Sequence, residues 1–128
     1  MQAYINKEIW LPPPQLIELS RLLNFPDLHK LKDFAIERAR KGSTLILPVQ
    51  YICTDGHVAL IAGDDMYPSD PHLMEYRKIE KTMQDFRQNV KNVNRFEYVD
   101  MNDCTMLCNI ELDGHLPPVN LMNFKSNL

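Results

Sequence analysis

Three sets of side chains carry reactive chemistry in this sequence. Asp64 and Asp65 are adjacent, with Asp70 close behind, and such carboxylates could help hold a hard divalent cation. The same spacing has a simpler reading: they fall in a Gly-Asp-Asp turn, where aspartate is favoured because its side chain bonds to nearby backbone N–H groups. Cys104 and Cys108, with Cys53, His57 or His115, could supply zinc ligands. If Thr105 to Leu112 is a strand, however, the two thiols lie roughly 13 Å apart on one face, whereas zinc needs each sulfur at about 2.3 Å. Buried free thiols fit that spacing better. A nucleophilic pair of Cys53 and His57 lacks a third group to orient the imidazole. His29 and His72 fall on expected helices, where a solvated ring is the default. Lys30, Lys32, Arg38, Arg40 and Lys41 could meet phosphates, but Asp33 and Glu37 are interleaved with them, which is also the pattern of a solvated helix face. No metal site and no catalytic residue is assigned to this chain from these residues.

The elements that must position these groups follow from periodicity. Pro13 or Pro14 suits the first turn of a helix, where a missing N–H costs nothing, and Leu16, Leu19, Leu22 and Leu23 follow at helical spacing. Pro26 ends that helix, and Asp27 favours the positive start of the next. Leu28, Leu31, Phe34 and Ala35 line one face of it, and Gly42 can stop it. The two make a helical hairpin. Leu45 to Cys53 is rich in strand-forming residues, and Val58 to Ala62 resumes after Asp55-Gly56, which predicts a β-hairpin closed by a type I′ turn. Ser69 or Asp70 could cap a third, amphipathic helix over 71–90, since Leu73, Tyr76, Ile79, Met83, Phe86 and Val90 recur every three or four residues. Late strands at Arg95 to Val99 and Thr105 to Leu112 follow, separated by a polar turn at 100–103, with an irregular tail from Pro117. The expected fold class is α+β.

Composition narrows the field. The chain has 128 residues, 45% of them hydrophobic and 24% charged, enough for a single domain over 1–128 with a sizeable core. Nine prolines against four glycines favour fixed turns and short elements. A net charge of −3 offers no general attraction to nucleic acid or anionic membranes, so neither is an expected partner. No apolar run approaches the roughly 20 residues that span a bilayer, and the first residues read as neither a signal peptide nor a basic transit sequence. Three cysteines, an odd number, favour reduced thiols in an intracellular compartment. There is no internal repeat.

The run Glu8-Ile9-Trp10-Leu11-Pro12-Pro13-Pro14-Gln15 is the most distinctive stretch. With Leu22, Phe25-Pro26-Asp27-Leu28, Arg38-Ala39, Gly42, Leu47-Pro48, Asp55-Gly56 and Gly63-Asp64-Asp65-Met66-Tyr67-Pro68, it resembles the C-terminal region of the peroxisomal coenzyme A and acyl-coenzyme A diphosphatase branch of the Nudix hydrolases. The match is best over 4–71. Leu16-Ile17 replaces a usual aromatic pair, Ser20 a basic residue, Ile46 a tryptophan and Ala62 a proline.

The resemblance implies a C-terminal part of a Nudix α/β/α architecture. It also implies, for the whole enzyme, magnesium- or manganese-assisted water attack that splits coenzyme A or acyl-coenzyme A into 3′,5′-adenosine diphosphate and phosphopantetheine products. Those cations sit on a Gly-x5-Glu-x7-Arg-Glu-x-x-Glu-Glu helix. Here the glutamates are Glu8, Glu18, Glu37, Glu75, Glu80, Glu97 and Glu111, none adjacent to another, so the box is absent and the chain alone is expected to be inactive and to need no cofactor. Trp10 could stack on an adenine or cover an acyl-pantetheine arm, or anchor its segment on the core, and Gln15 matches a pattern that could shape the substrate pocket. The expected role is to supply packing, pocket walls and a dimer or other protein contact. The alternative is a non-catalytic interaction or regulatory module derived from that family.

Ser126-Asn127-Leu128 resembles the Ser-Lys-Leu peroxisomal address with an asparagine in the basic position, which makes the peroxisome the expected compartment, ahead of mitochondrion or cytoplasm. A fluorescent reporter ending in Lys125-Ser126-Asn127-Leu128 should enter peroxisomes at least partly. Deleting Leu128 should abolish import and Asn127→Lys should strengthen it. Colocalisation microscopy decides, and a native tail that leaves the reporter cytosolic while the lysine variant imports it would show the signal to be silent.

Overall fold

The structure, a computed structural model, describes residues 1–43, 45–72, 76–100, 103–112 and 114–116. The tail bearing Ser126, Asn127 and Leu128 lies outside the described residues. The fold is α+β. In chain order the described elements are helices α1 (Gln2–Ile5), α2 (Pro13–Leu22) and α3 (Leu28–Ala39), strands β1 (Val49–Ile52), β2 (His57–Leu60) and β3 (Tyr76–Lys78), helix α4 (Met83–Phe86), and strands β4 (Asn94–Tyr98) and β5 (Cys104–Cys108). They fall into two compact units: Met1–Thr44 with Glu111–Leu128, and Leu45–Ile110.

The first unit holds α1 to α3. Pro13 opens α2 as its first helical residue, and the Asp27 carboxylate caps α3 by accepting from the Lys30 N–H at 3.0 Å, both as the sequence predicts. Beyond α3, Gly42 adopts φ +76°, a left-handed conformation that glycine reaches without steric penalty. Leu16, Ile17 and Ser20 are buried on one side of α2, the Ser20 hydroxyl donating to the Ile17 carbonyl at 2.7 Å. The Phe25 and Phe34 rings meet at 5.1 Å. The opposite face of α2 presents Leu19 and Leu22 to solvent, and α3 buries no residue at all, with Leu28 76% and Ile36 50% exposed. Each of these four apolar side chains is at least 40% exposed.

The second unit is a five-stranded sheet in the order β3-β1-β2-β4-β5, antiparallel except for the β1–β3 pair. Val49, Val58, Leu60 and Phe96 are at most 1% exposed. Cys53, Val58, Leu60 and Phe86 form one core cluster, against which Tyr51, Tyr67, Ile79 and Met83 pack. The Tyr51 and Phe86 rings meet at 5.0 Å, tilted by 36°, and the Tyr67 hydroxyl donates to the Leu47 carbonyl at 2.8 Å.

The β-hairpin forms, but not through the expected turn. Neither Asp55 nor Gly56 has positive φ, so the connection is not type I′, and the Cys53 N–H donates to the Gly56 carbonyl so that Thr54-Asp55 is the tip. The reason lies in tertiary bonding: the Asp55 carboxylate accepts from the Met83 N–H at 2.7 Å, and the Thr54 N–H donates to the Lys81 carbonyl. Gly56 is needed for space. A Cβ there would lie 2.9 Å from the Tyr98 carbonyl oxygen and 2.7 Å from the end of the Met83 side chain.

The long helix expected over 71–90 is replaced, within the described residues, by β3 and the one-turn α4. Backbone groups of 76–81 pair with the sheet edge instead of with one another: Gln50, Tyr51 and Ile52 stand opposite Tyr76, Arg77 and Lys78, and the Ile79 N–H donates to the Ile52 carbonyl. Thr82 then starts α4 as its cap, accepting from the Asp85 N–H at 3.0 Å, and Asn89 at φ +64° stands three residues beyond its end. Ile79, Met83 and Phe86 do reach the core, whereas Tyr76 of the expected stripe is 63% exposed and Leu73 lies outside the described residues. The anticipated strand at Leu45 to Cys53 shortens to Val49–Ile52, and the one at Thr105 to Leu112 shifts to Cys104–Cys108, where the Asn109 N–H turns to the Val93 carbonyl.

Two adjacent carboxylates tie the 63–66 turn to β4. Asp64 accepts from Arg95 through Nε at 2.7 Å and Nη2 at 2.6 Å, with both side chains fully buried, and from the backbone N–H groups of Met66 and Asn94. Asp65 accepts from the backbone N–H groups of Lys91 and Asn92 and from the Asn92 amide. Asp64→Asn should lower the unfolding free energy by about 3–5 kcal/mol in urea denaturation, because it strands a buried guanidinium, while the Asp64→Leu, Arg95→Met pair should recover much of that loss. A single substitution as mild as an exposed one would show that the pair contributes little.

Asp65 yields a pH signature. Its bonds to the Asn92 backbone, the Asn92 side chain and the Lys91 backbone hold its carboxyl below the usual value of 3.8. A depressed folded-state pKa gives stability that is present above about pH 4 and lost as pH falls through the folded value. The stability difference between the protein and Asp65→Asn should therefore be constant near neutrality and shrink below about pH 4. A difference that stays level down to acid would contradict it.

Candidate functional site

Strand β4 carries charged residues on its helix-covered face, where a sheet interior normally holds apolar ones. Arg95 and Glu97 alternate with Asn94, Phe96 and Tyr98, so the two charged side chains share the face that α4 covers. Leu60 and Val58 stand opposite them on β2, and Leu107 and Thr105 on β5. Arg95 lies with its guanidinium carbon 5.4 Å from the Phe86 ring centroid, so its charge is met by Asp64 at one edge and an aromatic face on α4. Its Nη1 has no protein partner.

Glu97 is held differently. Its Oε2 pairs with Arg87 Nη2 at 2.9 Å; the Glu97 side chain is 6% exposed and that of Arg87 48%. Glu97 Oε1 is buried without a hydrogen-bond partner. Burial pushes the Glu97 carboxyl above its ordinary value, against the opposing pull of Arg87 and Arg95. A shallow groove of about 180 Å³ opens beside it. Met83 and Arg87 line it from the helix side, Glu97, Thr105 and Leu107 from the strands, and Val99 and Asp103 at the β4–β5 end.

The residues singled out in the sequence are distributed rather than gathered. Asp64 and Asp65 have the turn role, both carboxylates being taken up by backbone N–H groups and by Arg95 or Asn92. Asp70 faces Arg77 at 3.6 Å. Among the described residues no three of His, Cys, Asp and Glu converge to hold a metal ion. Asp64 and Asp65 do not fit the cation role of Nudix chemistry, because their oxygens already accept from the protein. Cys104 and Cys108 stand at the two ends of β5, and burial pushes the Cys104 thiol up to about 11, with Asp103 adding to the effect. Burial, then Asp55 and Glu97, also raises Cys53. Both are thiols rather than thiolates at neutral pH.

His57 stacks on Tyr98 at 5.1 Å, and the Tyr98 hydroxyl donates to Gln50 Oε1 at 3.0 Å. His115 bonds Arg38 at 3.2 Å, and Arg38 also donates to the Gly42 carbonyl. Arg40 pairs with Glu37 at 3.0 Å on the surface. Trp10 is 45% exposed in the segment before α2, and Gln15 is exposed in the first turn of that helix. Sequence reasoning missed Arg95, Glu97 and Arg87. Charge at every second position of a strand ordinarily marks a solvated face, so no local signal placed these side chains under a helix.

No helix among the described residues is long and apolar enough to cross a membrane. No solved structure matches the chain. Residues 50–109 match the family model described as the NUDT19 C-terminal domain, a span that nearly coincides with the sheet unit. The chain is 32% identical over 132 residues to acyl-coenzyme A diphosphatase NUDT19 of Gallus gallus, covering 99% of this chain and 35% of that protein. The Xenopus laevis relative is also 32% identical over 132 residues, covering 99% of this chain and 34% of that protein. The Homo sapiens relative is 38% identical over 92 residues, covering 68% of this chain and 24% of that protein. The chain thus spans about a third of the length of the first two relatives and about a quarter of the third. It belongs to the NUDT19 C-terminal domain family.

Proposed function

We propose that this chain acts as the C-terminal part of an acyl-coenzyme A diphosphatase, which cleaves coenzyme A or acyl-coenzyme A to 3′,5′-adenosine diphosphate and phosphopantetheine products. The observation that carries this reading is the match over 99% of the chain to relatives named acyl-coenzyme A diphosphatase. In that protein magnesium or manganese would be held by glutamates outside this chain, since the sequence here has no paired glutamates and its turn aspartates are engaged. The part described here would contribute support and pocket wall. Trp10 and Gln15, on the segment that enters α2, would face the substrate, the half-exposed indole giving a flat surface for an adenine or an acyl-pantetheine arm. The apolar faces of Leu19 and Leu22 on α2 and of Leu28 and Ile36 on α3 would be covered by the catalytic part. Peroxisomal import through Ser126-Asn127-Leu128 belongs to the same proposal.

Exchanging the matching third of the Gallus gallus relative for this chain tests the idea. The hybrid should hydrolyse acyl-coenzyme A with magnesium or manganese, whereas the isolated chain should release no 3′,5′-adenosine diphosphate above blank. Leu22→Glu with Ile36→Glu should reduce the hybrid's activity at least about tenfold by charging surfaces that must be covered. Turnover by the isolated chain within the usual range of about 1–10³ per second would overturn the proposal. So would a folded hybrid without activity.

A further inference from the structure

The groove between α4 and the β4–β5 hairpin has a property that its part in the fold does not use. Glu97 Oε1 is buried and accepts no hydrogen bond, although its sister oxygen is held by Arg87. A buried carboxylate with one idle oxygen is costly, because the lost hydration is only partly replaced. The wall over it is the exposed one: Arg87 is half exposed and stands just past the end of the one-turn α4. A swing of that guanidinium toward solvent opens the carboxylate to the groove.

The lining selects what could enter. Glu97 and Asp103 place two carboxylates against the single cation Arg87, and Thr105 adds a hydroxyl opposite Glu97 across the β4–β5 ladder. An anion is disfavoured there, and a neutral amide could donate a hydrogen bond but would leave the carboxylate charge unmet. Met83, Leu107 and Val99 are apolar, and Val99 is 61% exposed, so a hydrocarbon stem finds cover along the same groove. A volume of about 180 Å³ accommodates one flexible side chain of this kind.

We propose that this groove binds an aliphatic cation, its alkyl stem along Met83 and Leu107 and its ammonium or guanidinium on Glu97 and Asp103. Two sources share that chemistry: a lysine or arginine side chain on a polypeptide, and a free alkylamine. Burial already lifts the Glu97 carboxyl, so the ionised form is under-solvated, and a second cation supplies the donor it lacks.

Nuclear magnetic resonance titration of the ¹⁵N-labelled chain tests this with N-acetyl-lysine methylamide, cadaverine and, as neutral isostere, N-acetyl-norleucine methylamide. At least one cation should shift the Glu97, Val99, Thr105 and Leu107 amides saturably in about the millimolar range, at least about tenfold more tightly than the norleucine derivative. Binding of the lysine derivative alone identifies a polypeptide side chain as the ligand, and binding of cadaverine alone a free amine. Glu97→Gln should weaken binding about tenfold. The exposed Asp103→Asn, which removes no buried contact, should weaken it about twofold to fivefold, and Glu80→Gln, an exposed charge outside the groove, should leave it unchanged. No saturable shift with either cation, equal binding of the norleucine derivative, or an equal effect of Glu80→Gln and Asp103→Asn would overturn the proposal.

Discussion

The buried pair of Asp64 and Arg95 is the constraint on which the sheet unit depends. A guanidinium in the middle of a central strand, fully screened from water, is tolerable only if its charge is met with fixed geometry. Asp64 meets it along one edge, but to do so the chain must leave β2 and turn back at 61–65, which brings Asp65 under the N–H groups of Lys91 and Asn92. The start of β4 is thereby fixed twice, by Asp64 on the Asn94 N–H and by Asp65 just before it. Phe86 under the Arg95 guanidinium then sets where α4 can lie. Replacing the pair by apolar residues need not cost stability; what the pair supplies is register, since a one-residue slip of β4 would bury Asn94 and Phe96 where Arg95 meets its partner.

The same placement explains the state of Glu97. A strand whose register is set by Arg95 must put residue 97 on the same face, and Val58 opposite it on β2 offers no donor. Arg87 reaches it from just beyond α4, satisfying one oxygen and leaving the other. The groove beside it is therefore a consequence of how short α4 is: one turn of helix covers Tyr51 and Leu60 through Phe86 but leaves the Thr105 and Val99 end of the sheet open.

Where local signals and tertiary pairing agreed, the elements could be read from the residues. Asp27 at the head of α3, Pro13 opening α2, the hairpin flanking 53–56 and the Gly63-Asp64-Asp65 turn after β2 all carry their own chemistry. The stretch 76–86 did not, because its apolar residues satisfy a helical period and also pack as strand, loop and single turn. The decision was made by free N–H and C=O groups on β1, some 25 residues earlier in the chain. Asp55-Gly56 failed for a related reason: the dipeptide suits a type I′ turn, yet Asp55 does more by accepting the first N–H of α4. The partnership of Asp64 with Arg95 spans 31 residues, and nothing local announces it. The two aspartates were legible as turn residues, whereas the strand charges they serve were not.

The two units differ in what they leave unfinished. In the sheet unit the central residues fall to 0–2% exposure, and the family match over 50–109 covers nearly that unit. In the helical unit α3 has no buried residue, and Leu28 and Ile36 stand open on it. Fully burying a leucine or isoleucine contributes about 1.5–3 kcal/mol, so covering four such side chains on α2 and α3 would contribute several kcal/mol before ordering costs, enough to hold a second surface in place. The relatives that span this helical unit as well as the sheet are about three times as long as the chain. Sequence that keeps Leu19, Leu22, Leu28 and Ile36 apolar, while surrounding them with Glu18, Arg21, Lys32 and Glu37, gives these helices the apolar stripe that the catalytic part would cover under the proposed function.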